Sequence, residues 1–229
     1  VEQLLCWVAT SHRGVALKSA LATTVKAFGV LAGLAGIEHG LGDALQGSVR
    51  PEGLMIQSWP DTPFFAALHG EPAMTVIPNL LITGLLAIVA SLLFLLWVFR
   101  YVEGRRGALG LVLLSIALLL VGGGFGPPLL GLILGAAATG IGAPLGVWRR
   151  LLPRLGGERL ASWWPWVLGA ALVAWVMLSV GIGLLAQVAG VDSIPLTMGI
   201  IVAAFALLLL SIVSAIARDA GAEPAAAAA

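Results

Sequence analysis

Residues 26–47 have the sequence KAFGVLAGLAGIEHGLGDALQG, and the interpretation of the whole chain depends on this stretch. Its first part, residues 27–37, is uncharged and apolar, as a membrane-spanning helix requires. Its second part carries Glu38, His39 and Asp43, and ionisable groups at membrane depth are costly and usually serve a function. No small-residue cleavage site of a secretory signal follows the apolar part, so we expect this stretch to be retained as a helix.

The composition of the chain indicates a membrane protein. Of its residues 60% are hydrophobic and only 10% are charged, whereas a soluble domain carries about 25% charged residues. The formal net charge is +1, and no basic cluster marks a nucleic-acid partner. The lone cysteine, Cys6, leaves neither an internal disulfide nor a cysteine-rich zinc site. We therefore expect an all-α helical bundle whose first partner is the lipid bilayer.

Five further apolar runs are long enough to cross a hydrocarbon core of ~30 Å as helices. These runs lie at residues 76–99, 107–125, 127–148, 163–189 and 195–217. With residues 26–47 they predict a polytopic integral membrane domain of about six transmembrane helices over residues 26–217. Residues 1–25 form an N-terminal cytoplasmic or interfacial segment in this prediction, and residues 218–229 form a low-complexity cytoplasmic tail. A five-span alternative, in which the first segment is re-entrant, stays open.

The positions of the basic residues predict the orientation. Cytoplasmic loops of membrane proteins are enriched in Lys and Arg. With six spans, 11 of the 12 Lys and Arg residues fall on one side, and only Arg50 falls on the other. This distribution predicts a multi-pass protein of the cell membrane with both termini in the cytoplasm and the loop 48–75 on the non-cytoplasmic side.

Small residues in the first span predict a helix contact. Gly29, Gly33, Gly36 and Gly40 recur at alternating steps of four and three, which places them on one stripe of a helix. Such a stripe lets a second helix approach closely. A flat ligand such as a porphyrin or a quinone on the same face is the less favoured alternative.

The glycine-rich turn at residues 122–128, between the third and fourth spans, is too short to extend far from the membrane. Its backbone polar groups must be satisfied by protein or water. No Lys follows in the pattern of a phosphate-binding loop.

Six polar residues are candidates for a binding or proton-relay site. They are Glu38, His39, Asp43, His69, Glu71 and Asn79. Asp43 follows His39 by four positions, so this carboxylate can accept the imidazole N–H, whereas Glu38 points about 100° away and needs another partner or else stays protonated. If the loop folds toward the first helix, all six side chains line one outward-facing cavity. The alternative is that they only close hydrogen bonds between helices.

The sequence does not determine a cofactor. His39 and Asp43 are weak candidates for a divalent metal because there is no HExxH motif and no second histidine on their helix. A single haem or chlorophyll on His39 has no second supporting feature. No GxSxG motif is present, so an enzyme is the less favoured class.

Two functional hypotheses follow. The favoured one is a structural or accessory subunit of a larger membrane complex, with other membrane subunits or a second copy as partners, because few intramembrane polar residues lie outside the first helix. The alternative is a bundle that binds or transports a small solute, an ion or protons through the polar pocket.

Overall fold

The computed structural model describes residues 19–191 and 193–227, so the predictions for residues 1–18 lie outside the described part. The described residues are mostly helical (75%). In order, the helices are α1 (Ala20–Leu45), α2 (Leu80–Arg100), α3 (Gly107–Leu120), α4 (Gly126–Ala138), α5 (Gly146–Leu151), α6 (Gly157–Val176), α7 (Ile182–Ala189) and α8 (Ile194–Ala227). Short 3-10 helices span Pro63–Leu68 and Leu152–Leu155, and a π-helical turn, Met177–Gly181, joins α6 to α7.

Within the described residues, four helices are long and apolar enough to cross a membrane. They are α1, α2, the continuous helix Gly157–Ala189 and the Ile194–Ala222 part of α8. Helices α3 and α4 have 14 and 13 residues, which gives each a length of roughly 20 Å. The chain thus has the length and composition of a multi-pass helical membrane protein.

The boundaries of α3 and α4 differ from the apolar runs that predicted them. Helix α3 ends at Leu120 rather than near residue 125, and α4 ends at Ala138 rather than near residue 148. The φ angles of Gly122, Gly124 and Gly142 are +89°, +74° and +68°, a conformation that interrupts a right-handed helix and that glycine adopts without strain. Hydropathy does not register these interruptions because glycine and its neighbours remain apolar in character.

Helix α2 packs against the glycine stripe of α1. The nearest atoms to Gly29 and Gly33 belong to Val98 and Leu95 of α2. At Gly40 the contact is with backbone, since a Cβ there would lie 2.8 Å from the carbonyl oxygen of Gly84. The core continues from this pair to α6 and α8, where buried apolar side chains meet; among them are Phe28, Phe94, Trp175 and Leu208.

The first turn of α1 is tied to the last helix. Asp219 of α8 accepts hydrogen bonds from the backbone N–H of Ala20 (2.7 Å) and Leu21 (3.0 Å) and from the hydroxyl of Ser19 (2.6 Å). These bonds satisfy N–H groups that have no partner within the first turn of a helix. The start of α1 and the C-terminal part of α8 therefore lie at the same end of the bundle.

The connecting segment (residues 46–79) packs at the opposite end of α1. Its strands β1 (Met55–Gln57) and β2 (Pro72–Met74) pair antiparallel, with Ile56 opposite Ala73. The backbone N–H of Val76 donates to the carbonyl of Leu120 at the end of α3 (3.0 Å). The side-chain amide of Gln187 in α7 donates to the carbonyl of Pro63 (2.9 Å). The connecting segment thus contacts the ends of three helices.

Candidate functional site

A His–carboxylate cluster (Glu38, His39 and Glu71) forms where the connecting segment meets α1. His39 Nδ1 lies 3.0 Å from Glu38 Oε2, and His39 Nε2 lies 3.2 Å from Glu71 Oε2. One ligand atom of each residue lies within 4.8 Å of the others. His39 and Glu71 are 7% and 8% exposed, so two of the three groups are almost removed from solvent.

A tight turn before β2 directs Glu71 toward α1. Both His69 and Glu71 have left-handed backbone conformations, with φ of +53° and +55°, and such residues outside glycine carry a strain of order 1–3 kcal/mol each. Two backbone hydrogen bonds hold the turn, from Ser58 N–H to Glu71 carbonyl (3.1 Å) and from Trp59 N–H to Gly70 carbonyl (2.9 Å). Burial raises the pKa of the Glu71 carboxyl above its ordinary value, against the opposing effect of His39.

Trp59 holds Glu38, the third member of the cluster. Its indole N–H donates to Glu38 Oε1, and its ring stacks on Phe65 with centroids 5.3 Å apart. The sequence did not identify Trp59 as part of the site, because an aromatic residue in a loop is also typical of a membrane-interface anchor.

The imidazole of His39 is oriented differently from the sequence prediction. Its Nδ1 lies 3.0 Å from the carbonyl oxygen of Ala35 as well as 3.0 Å from Glu38 Oε2. The predicted partner was Asp43, four residues later. The Ala35 carbonyl, one turn earlier on the same helix, accepts from Nδ1 instead, and Glu38 Oε2 lies near the same nitrogen. Glu38, expected to need a partner away from His39, contacts His39 and Trp59.

Asp43 forms a separate buried position next to the cluster. It is 0% exposed and lies beside Ser58. Among the described residues, neither its carboxylate oxygens nor the Ser58 hydroxyl makes a well-aligned hydrogen bond. A carboxylate left in such a position is costly when ionised.

The first part of the glycine-rich turn (residues 122–124) covers both groups. A Cβ on Gly122 would lie 2.5 Å from Asp43 Oδ2, and a Cβ on Gly124 would lie 2.3 Å from His39 Nε2. The turn can approach Asp43 and His39 this closely because Gly122 and Gly124 have no side chains. This role was not evident from the sequence, which predicted only a short turn between two spans whose backbone polar groups are satisfied by protein or water.

Besides Asp43, two more of the six predicted residues lie outside the cluster. Asn79 caps α2, since its Oδ1 accepts from the N–H of Ile82 (3.1 Å) and its Nδ2 donates to Ser48 Oγ (2.8 Å). His69 is exposed, and the described contacts do not join it to Glu38, His39 or Glu71.

A cavity of about 770 Å³ adjoins the cluster. Its ionisable lining groups are Glu38, His39, Glu71 and His69. The rest of the lining is mostly apolar and comes from α1, α4, α6, α8 and the turns beside them; it includes Leu31, Phe65, Leu130, Trp175, Met198 and Phe205. Along α1 the lining runs from Leu31 to His39, roughly 12 Å of helix, so the cluster lies at the end nearest the connecting segment. This cavity was not predictable from the sequence because the residues of its walls resemble those of ordinary membrane helices.

No protein-family model matches the chain, and no curated protein or solved structure matches it.

Proposed function

We propose that this chain is a membrane-embedded binding protein for one amphiphilic molecule. The apolar body of the ligand occupies the cavity, and its polar head contacts the His–carboxylate cluster. One observation carries this proposal: a cavity of about 770 Å³ has mostly apolar walls and buried ionisable groups at one end. Ligand sites typically have volumes of about 300–1,000 Å³, apolar walls and a few convergent polar groups.

The rim of the cavity supports entry from the lipid. Leu34, Val176, Ile194 and Met198 line the cavity and are exposed on the surface of the chain. In a bilayer this apolar rim faces acyl chains, so a molecule dissolved in the membrane reaches the cavity without crossing water. A fully water-soluble ligand has no comparable polar entrance along these residues.

Six crossings are the topology that we propose for this bundle. The contact of Asp219 with the start of α1 supports an even number of crossings, because it joins the two ends of the described helical domain. The contact of Val76 with Leu120 supports counting α3 and α4 as a pair of crossings, because the end of α3 reaches the connecting segment. The distribution of the basic residues supports a position of the connecting segment on the non-cytoplasmic side of the cell membrane.

The role of an accessory subunit stays a prediction. Its expected docking surfaces would be exposed apolar helix faces, and such faces are also what a lipid bilayer covers. The cavity is the more specific feature, and for that reason we place ligand binding first.

Native mass spectrometry tests the proposal. The full chain is extracted from its membranes in a mild detergent and released from the micelle, and the mass of any retained molecule is measured. We compare Ala35→Phe, which places a ring inside the cavity, with Leu92→Phe, which adds a ring to an exposed position of α2 outside the cavity.

We expect one retained amphiphile in the wild type and in Leu92→Phe, and its loss in Ala35→Phe. Circular dichroism and size exclusion confirm that each variant is folded, and Ser179→Phe provides a second obstruction of the cavity. A wild type that carries no molecule after incubation with its native lipid extract would overturn the proposal. Equal retention in folded Ala35→Phe and Ser179→Phe would overturn it as well.

A further inference from the structure

The two ring nitrogens of His39 face different groups. Nδ1 faces two acceptors, the Ala35 carbonyl and Glu38 Oε2, each at 3.0 Å. A ring nitrogen between two acceptors must carry a hydrogen, and in a neutral imidazole the other nitrogen then offers a lone pair. That nitrogen, Nε2, faces Glu71 Oε2 at 3.2 Å. A lone pair and a carboxylate oxygen at this distance repel each other unless a cation joins them.

The alignment of this pair favours a cation larger than a proton. Although 3.2 Å is a hydrogen-bond distance, Glu71 Oε2 has no hydrogen-bond partner among the described residues, so it lies off the direction in which a hydrogen on Nε2 would point. Two atoms that each bind one Zn²⁺ ion at roughly 2.0–2.2 Å are separated by about 3.0–3.5 Å. In that geometry the oxygen lies well to the side of the nitrogen lone pair, so a shared ion accounts for both the distance and the misalignment.

We propose that His39 Nε2 and the Glu71 carboxylate bind one divalent transition-metal ion of the Zn²⁺ type. The Ala35 carbonyl accepts from Nδ1 and fixes the tautomer of the imidazole, an arrangement common to histidine ligands of metals, and the Glu38 carboxylate lies 3.0 Å from the same nitrogen. The indole N–H of Trp59 holds Glu38 in turn. This ligand pair differs from the His39 and Asp43 pair that the sequence suggested.

The donor atoms indicate which ions fit. One imidazole nitrogen with a carboxylate suits Zn²⁺ and its neighbours in the first transition row, whereas Mg²⁺ and Ca²⁺ prefer oxygen alone. Both ligands line the cavity, so the remaining coordination positions are available to water or to the polar head of a bound amphiphile. The metal site itself does not depend on whether the cavity is occupied.

Metal binding to the purified full chain tests the proposal. The protein in detergent micelles is treated with a chelator, the chelator is removed, and Zn²⁺ is titrated by calorimetry. Co²⁺ serves as a second probe, because its visible absorption reports ligation by nitrogen and oxygen. The variants are His39→Gln, Glu71→Gln and Glu38→Gln, and the matched controls are Glu52→Gln and Asp61→Asn, each of which removes an exposed carboxylate outside the cavity.

We expect one Zn²⁺ per chain in the wild type and in both controls. His39→Gln and Glu71→Gln are expected to weaken binding by more than about 100-fold, and Glu38→Gln, a positioning residue, by about 10–100-fold. Ser179→Phe, which obstructs the cavity away from His39 and Glu71, should keep the metal while it loses the amphiphile, and this separates failure of this proposal from failure of the proposed function.

Three results would overturn the metal site. One is a wild type that neither binds Zn²⁺ nor shows a Co²⁺ band. Another is equal loss of binding in Glu52→Gln, which would indicate adventitious surface binding. The third is a folded Glu71→Gln that binds Zn²⁺ like the wild type, which would leave a proton as the cation between the pair.

Discussion

At the scale of single residues, the geometry of the site depends on Gly124, whose backbone contacts the imidazole ring of His39. Gly124 has a φ of +74°, and its backbone lies so close to the His39 imidazole that a Cβ would be 2.4 Å from Cδ2 and 2.8 Å from Cε1. The glycine thus serves two needs: the turn requires a left-handed residue, and the ring requires empty space beside it. The orientation of His39 therefore depends on a residue far away in the sequence.

We expect Gly124→Ala to destabilise the protein and to disturb the cluster. The left-handed conformation costs an alanine about 1–2 kcal/mol, and the clash with His39 adds to it. The measurement is the free energy of unfolding in detergent. The control is Gly126→Ala, two residues later, where a Cβ meets nothing within 4 Å. A loss of stability in Gly126→Ala as large as in Gly124→Ala would contradict this account of the turn.

Charge in an apolar context identified part of the site from the sequence. Glu38 and His39 were candidates for that reason, whereas Glu71 was a candidate because it lies at the end of the loop before the second span, and the structure brings these three together. The partner of His39 was not predictable from helical spacing, because Asp43 and the Ala35 carbonyl are both one turn away and spacing does not rank them. The contribution of Trp59 required knowledge of how the connecting segment folds, which is a tertiary contact.

At the scale of elements, the contact of α1 with α2 is closest at Gly84. A Cβ on this residue would lie 2.3 Å from the carbonyl oxygen of Gly40 and 2.4 Å from the backbone nitrogen of Ala44. Backbone atoms cannot rotate away as a side chain can, so the two helices must separate to admit a methyl group. This close contact with α1 holds the start of α2 beside the connecting segment.

We expect Gly84→Ala to lower the free energy of unfolding by about 1–3 kcal/mol, as overpacking does. In Gly169→Ala, on an exposed face of α6 with nothing within 4 Å, the same change should be neutral or stabilising by up to about 1 kcal/mol. Thermal unfolding of both variants in the same detergent provides the comparison. Equal effects would show that α1 and α2 do not pack through these glycines.

The packing face of α1 was predictable from the sequence, whereas the ends of α3 and α4 were not. The spacing of Gly29, Gly33, Gly36 and Gly40 predicted a face for a second helix, and α2 occupies it. The pattern did not identify which helix that would be, because small residues admit any neighbour. The ends of α3 and α4 were placed too late because positive φ angles at glycine leave no trace in hydropathy.

At the scale of the whole molecule, the proposed topology predicts which positions reach each side of the membrane. We expect His69→Cys, in a background without Cys6, to react in intact cells with a maleimide that does not cross membranes. Gly104→Cys, between α2 and α3, should react only after permeabilisation. Both positions are exposed in the structure, so burial does not explain a difference. Modification of Gly104→Cys from outside would contradict the orientation.

The central claim is that the connecting segment packs onto α1 and thereby buries the site. Ser58, 0% exposed, lies beside Asp43, whereas Leu54 of the same segment is 61% exposed. The most direct test is the reaction of Ser58→Cys and Leu54→Cys with a water-soluble maleimide, in the background without Cys6 and in nanodiscs that leave both membrane faces open. We expect Leu54→Cys to be modified while Ser58→Cys stays intact over the same period. Equally rapid modification of both positions would contradict the claim.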